Sequence, residues 1–156
     1  MSCHLAQANI ARMRANPNTL EMSGLVARLD EINKLAEQSR GFVWRLKGSE
    51  ASVEALRVFE DYSAPFEPER LFYNMSVWET FADLRQFTFR TGHAEMLRDK
   101  HRWIEPFDRA HLALWWIPAG HLPTIAESAD RLSSVHEKGP TSYAFTLAES
   151  FPPPAA

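Results

Sequence analysis

Asn74 and Trp78 stand four residues apart in FYNMSVWETF (72–81), a stretch whose alternation reads as a strand. In a strand every second side chain points to the same face. Phe72, Asn74, Ser76 and Trp78 therefore share one side, and Tyr73, Met75 and Val77 the other. The second set is an ordinary apolar face; the first places an amide and a hydroxyl among aromatic rings. At ~3.3 Å per residue, Asn74 and Trp78 lie about 13 Å apart and can flank a small ring system. A buried carboxamide without a partner costs roughly 1–3 kcal/mol, so Asn74 must hydrogen-bond something. That partner is either a ligand in a chamber or a neighbouring side chain, with Trp78 then filling core.

The rest of the chain narrows the chemistry by elimination. It has no GxGxxG or GxxxxGK[ST] to cradle phosphate, no GxSxG nucleophile, and no CxxC or HExxH to hold zinc. His93 and His101 are eight residues apart, roughly 12 Å along a helix and too far for one metal. His101 and Glu105 have the spacing of a helix-end ion pair. Neither a metal nor an organic cofactor is expected. Cys3 is the single cysteine, so no intrachain disulfide forms, and without an activating neighbour it reads as a spectator thiol. The net charge of −3 and the lack of a basic tract argue against nucleic acid. The run LALWWI (112–117) is far short of a membrane span, and MSCHLAQANI lacks the pattern of a secretory signal. The expected location is the cytoplasm.

Several elements must position the polar strand. HLAQANIARM (4–13) reads as a first strand, ended by Asn16, Pro17 and Asn18. Thr19 caps a helix carrying Met22, Leu25, Val26, Leu29, Ile32 and Leu35 at helical spacing, and Gly41 stops it. FVWRLKG (42–48) is a second strand with Phe42, Trp44 and Leu46 on one side. Residues 49–70 permit a short helix through Val53, Leu56 and Phe59, within either a binding loop or a surface excursion. After the 72–81 stretch, Thr80 and Asp83 form a capping box for a helix with Phe81, Leu84 and Phe87 on its apolar stripe. The helix is interrupted at Gly92 and resumes through Ala94, Leu97, His101 and Ile104 until Pro106. HLALWWIPAG (111–120) is a fourth strand. A helix over 124–139 is capped by Thr124, with Glu127 three residues on and Gly139 as its stop. YAFTLAESF (143–151) is a last strand, and 152–156 form a proline-rich tail.

The expected fold is α+β: one domain over 1–151 with a ferredoxin-like β-α-β-β-α-β order plus a C-terminal helix and strand. Such a sheet carries helices on one face only. The fourth strand is apolar on both, with Leu112, Leu114 and Trp116 on one face and Ala113, Trp115 and Ile117 on the other. Each large side chain is worth roughly 1.5–3 kcal/mol when buried. Something must cover the bare face, and a second copy in a symmetric homodimer would do so, closing a chamber for a small hydrophobic or aromatic molecule. Trp44 and Trp115 are further aromatic residues expected to contact that molecule, with Phe72 and Ser76.

The element order, with NMSVWET running from the third strand into a helix, resembles the dimeric α/β-barrel superfamily. It is similar in particular to the antibiotic biosynthesis monooxygenase type. That resemblance implies that Asn74 and Trp78 face the chamber, followed by Glu79, and that Asn9 of the first strand joins them. HLAQANIAR, SVWET, TGH and LWWIPAGHLPT are similar to a bacterial family of that superfamily known mainly as a domain of unknown function. This likeness covers most of the chain and bears on fold rather than activity. The chain departs from the monooxygenases at Phe87, where a histidine often stands, and it has no counterpart to a tyrosine of the same helix.

The chemistry so implied needs no cofactor: a phenol or anthrone loses a proton, and its anion passes an electron to dioxygen. Asn74 or Trp78 would hydrogen-bond the oxyanion, His93 would be the base, and Arg98 or Arg90 would hold an anionic substrate group. The alternatives are a cofactor-free cyclase, a non-catalytic binder of a hydrophobic ligand, and a haem-binding barrel with His93 or His111 as axial ligand.

Overall fold

The first strand explains most of the architecture. In CHLAQANIARM, Leu5, Gln7, Asn9 and Ala11 alternate with Ala6, Ala8 and Ile10, so neither side is a solvent face. A strand of this kind is stable only inside a sheet. In the computed structural model, β1 (Cys3–Met13) is hydrogen-bonded along both edges. Backbone is described for residues 2–60, 62, 68–90, 92–106 and 108–155, and side chains for all of these except 49, 50, 52, 68, 90, 92–94 and 96.

The elements follow in the order α1 (Ser23–Glu37), β2 (Phe42–Arg45), α2 (Ser49–Val58), β3 (Leu71–Trp78), α3 (Phe81–Arg90), α4 (Gly92–Asp99), β4 (Ile104–Glu105), β5 (Leu112–Pro118) and α5 (Ile125–Lys138). Every strand pairing is antiparallel: β2 pairs with β3, and β3 with β1. The other edge of β1 is shared, with β5 along Cys3–Asn9 and β4 along Arg12–Met13. This is a ferredoxin-like sheet whose outer position beside β1 is split into two pieces.

Three expectations are corrected. The helix drawn through Ile104 ends at Asp99, and a 3-10 turn over Lys100–Arg102 leads into β4. Burial of Trp103 beside Met13, Met22 and Leu25 decides this, together with the Arg14 N–H donated to the Trp103 carbonyl at 2.7 Å. Ion pairs of Glu105 with Arg70 and Arg12 hold β4 in place. The expected last strand contributes one bridge, Leu114 to Phe145, with bonds of 2.8 and 2.9 Å, before Thr146 and Glu149 turn the chain. Beyond the turn, the Trp116 indole donates to the Phe151 carbonyl at 2.9 Å. Thr19 does not cap α1; its hydroxyl donates to the Asn16 carbonyl, and a 3-10 turn over Leu20–Met22 precedes the helix.

The capping expectations hold elsewhere. Thr80 Oγ1 accepts the Asp83 N–H at 3.1 Å and donates to Asp83 Oδ2 at 2.8 Å. The same Asp83 side chain packs so tightly on Gly41 (φ 80°) that a Cβ there would lie 2.1 Å from its Oδ2. Thr124 Oγ1 accepts the Glu127 N–H and starts α5.

The largest correction concerns the bare face. On one side of the sheet, Leu5, Trp78 and Leu114 pack against Ala36 of α1, Leu84 and Phe87 of α3, and Phe145. On the other, Ala6, Ala8, Ile10, Met75, Val77, Ala113, Trp115 and Ile117 pack against Ala55 of α2, Phe59 just beyond it, and Ile125 and Leu132 of α5. The chain covers both faces with its own helices. Met75 and Val77 lie under α2 and α5, while Trp78 lies under the α1 and α3 layer. No second copy is needed to cover either apolar face.

Glu127 fastens α5 to the sheet. Its carboxylate accepts the Trp115 indole N–H at 3.0 Å and meets His121 Nε2 at 2.9 Å. Burial pushes its pKa up, but the bonds from His121 and Trp115 and the charges of His121 and Arg131 outweigh that and hold it below the usual 4.5. A lowered folded value stabilises the fold above the unfolded value, and that contribution is lost as pH falls through the folded one. The pH dependence of Tm just below 4.5 is therefore expected to flatten in His121→Ala, measured by thermal melts across that window. Because both faces are covered within one chain, Tm is also expected to stay constant over a roughly hundredfold range of protein concentration, since an obligate dimer would melt higher when concentrated.

Candidate functional site

The polar residues of β1 and β3 meet across the ladder. On the face toward α1, the cross-strand pairs run Leu5–Trp78, Gln7–Ser76, Asn9–Asn74 and Ala11–Phe72. Two polar pairs thus sit between two apolar ones. Leu112 and Leu114 of β5 flank Asn9 and Gln7 on the other edge of β1. Asn74 is exposed, and Gln7 and Asn9 are half-buried. The β2 register ends at Ser76 and at the Leu46 N–H on the Met75 carbonyl, so Asn74 stands where the pairing of β3 with β2 gives out and is open to solvent there. The opening lies between the cluster around Trp78 and that around Met13, Met22, Leu25 and Trp103, which Phe72 adjoins.

The floor is one hydrogen-bonded network. Gln7 Nε2 donates to Asn74 Oδ1 and to Ser76 Oγ, both at 2.9 Å. The Trp78 indole N–H also donates to Ser76 Oγ, at 2.9 Å. Trp78 itself is 1 % exposed, stacked on Phe87 with centroids 5.1 Å apart and met edge-on by Phe42. Its donor is spent inside the protein and its ring is core.

The structure brings Asn9, Asn74 and Ser76 together and sets Phe72 at one end of the strip. Trp44 and Trp115 lie on the opposite face of the sheet, in the cluster under α2 and α5. Arg98 is exposed near the end of α4, beside Asp99, whose carboxylate pairs with Arg28 of α1 at 3.1 Å. The His93 and Arg90 side chains lie outside the described residues. His111 is exposed just before β5, and its carbonyl accepts the Ile10 N–H at 2.9 Å. A floor of carboxamides and a hydroxyl does not suit the apolar faces of a haem. Gln7, which bonds Asn74 and Ser76, is absent from the sequence-based expectations; its signal is its place two residues before Asn9 in an Ala-rich strand.

A recess of about 490 Å³ lies on the outer side of α3 among Phe81, Ala82, Arg85, Gln86 and Phe89, and shares no residue with the strip. Among the described residues, no three His, Cys, Asp or Glu side chains are grouped to hold a metal ion, and no helix is long and apolar enough to cross a membrane.

Removing the Ser76 hydroxyl leaves the buried Trp78 N–H without its acceptor. Ser76→Ala is expected to cost about 1–3 kcal/mol in urea unfolding. The pair Ser76→Ala with Trp78→Phe should cost less than the two single changes summed, because the orphaned donor is gone.

The chain's sequence from residue 4 to 156 matches the model of a family described as a domain of unknown function, DUF3291. No curated protein matches it. Among solved structures, it is similar to a protein of unknown function from Nitrosomonas europaea, with 14 % identity and a TM-score of 0.49, covering 78 % of this chain and 96 % of that one. It is also similar to a Dabb-family protein with a ferredoxin-like fold from Mesorhizobium loti, with 12 % identity and a TM-score of 0.42, covering 75 % and 99 %. With the family model spanning nearly its whole length, this chain belongs to the DUF3291 family.

Proposed function

We propose that this chain takes up a small, partly aromatic molecule on the Gln7–Asn9–Asn74–Ser76 strip and acts on it without an organic cofactor. The observation that carries the reading is the exposed Asn74 at the end of a polar strip in the sheet face, with its oxygen already held by Gln7. A polar quartet within an otherwise apolar sheet face weakens the core unless something wet or bound completes it. The apolar pairs Leu5–Trp78 and Ala11–Phe72 at its ends suit a ring, and the carboxamides suit an oxygen substituent.

In the oxygenase form of this reading, a phenol or anthrone gives up its proton and its anion passes one electron to dioxygen. The Asn74 amide steadies the oxyanion. Trp78 does not share that task, since its N–H is committed to Ser76. The base is His93, a histidine further along the chain than the place, here Phe87, where the monooxygenases often carry theirs, and Arg98 stands for the arginine those enzymes use. The non-catalytic form uses the same strip with no proton transfer.

Calorimetric binding of an anthrone-type phenol and its oxygen uptake test this together. Asn74→Ala is expected to weaken binding about tenfold, the equivalent of one lost hydrogen bond. Trp78→Phe should lower Tm while leaving affinity near that of the parent. Unchanged affinity and uptake in Asn74→Ala would remove the strip as the site. Binding without uptake would leave the non-catalytic form.

A further inference from the structure

We infer that Gln7 sets the polarity of this site, orienting the Asn74 amide so that the opening offers hydrogen-bond donors and selects ligands bearing a carbonyl or phenolate oxygen. This rests on the strip being the ligand site.

The order of donation starts at Trp78, whose indole N–H can only donate. Its partner Ser76 Oγ must therefore accept, and it accepts a second time from Gln7 Nε2. Both lone pairs of that oxygen are then used, and only its hydrogen is left to give. The Gln7 nitrogen bridges to Asn74 Oδ1 at the same 2.9 Å. Asn74 thus has its acceptor engaged, while its Nδ2 has no partner among the described residues and the residue is exposed. A carboxamide's nitrogen and oxygen differ little in shape, so the orientation of Gln7, with Nε2 toward both partners, decides which end of Asn74 a ligand meets. Here the order of donation, from Trp78 and Gln7 to Ser76 and from Gln7 to Asn74, turns nitrogen toward the opening. Gln7 is a positioning residue, acting on the ligand through Asn74.

Two neutral probes of similar shape and opposite role test this: 2-acetylnaphthalene, which only accepts, and 2-aminonaphthalene, which chiefly donates. Calorimetry on the full chain should show the ketone binding about tenfold tighter, the difference one satisfied hydrogen bond makes. In Gln7→Glu the side chain can only accept, so Asn74 gives it Nδ2 and presents oxygen outward; the preference should reverse toward the amine. Asn74→Asp, which keeps Gln7 and removes the outward nitrogen, should lose the ketone preference and stands in should Gln7→Glu not fold. A readout without any ligand is the exchange of side-chain amide protons by nitrogen-15 NMR. Those of Gln7 should be protected and those of Asn74 Nδ2 should exchange near the solvent rate.

Equal affinity for the two probes, a preference unmoved by both substitutions, or protected Asn74 Nδ2 protons would overturn the role of Gln7 and leave the strip as a binding site. Failure of both probes to bind the parent chain, or binding unchanged in Asn74→Ala, would sink the strip itself.

Discussion

Hydrogen bonding of β1 along both edges is the constraint on which the rest of the structure depends. A strand paired with β3 on one side and with β4 and β5 on the other has no free edge, and its two faces point into the two halves of the molecule. Leu5, Ala6, Ala8 and Ile10 have no exposed surface, so helices must lie both above and below them. The small Ala side chains at 6 and 8 leave room for large partners on the α2 and α5 side, above all Trp115 and Phe59. One inner strand therefore dictates a three-layer arrangement, with α1, α3 and α4 on one face and α2 and α5 on the other.

Against that demand, the polar strip is a local exception. Along the same face, the ladder passes from Leu5–Trp78 to two polar pairs and back to Ala11–Phe72. The network there satisfies the buried members first: the Trp78 indole and Ser76 are completed inside the protein, and the unmet capacity is left on Asn74, beyond the end of the β2 pairing. Placing the unsatisfied group at the most exposed member is the cheapest way to keep polar atoms in a sheet face. It also makes Asn74 the group a ligand would meet.

Much of the layout was legible in the sequence because it follows from local periodicity. The 3–13 and 71–78 strands, the apolar stripe of α3 and the Thr124 cap each rest on near neighbours in the chain. Parity within β3 also put Asn74 and Ser76 on one face, whereas Asn9 is expected beside them only through the resemblance and is set there by the register that places it opposite Asn74. What misled was equally physical. Trp78 has the parity of a site residue, but parity says which face a side chain takes and not what lies above it. Phe87 and Phe42 do, and they enclose it. Trp44 and Trp115 were grouped with the site as aromatic residues, although the sheet itself stands between them and Asn74.

Side-chain types at spacings of two to four residues are enough for the strands β1, β2, β3 and β5, the caps of α3 and α5, and a polar patch within an apolar pattern. Tertiary structure alone decided that α2 and α5 cover the second face, and that Trp103 draws the chain out of a helix into β4. It also decided that Gln7, 67 residues from Asn74, holds that amide's oxygen. Those outcomes turn on which distant surfaces meet. Burial and hydrogen-bond satisfaction across the sheet select among pairings that local pattern leaves open.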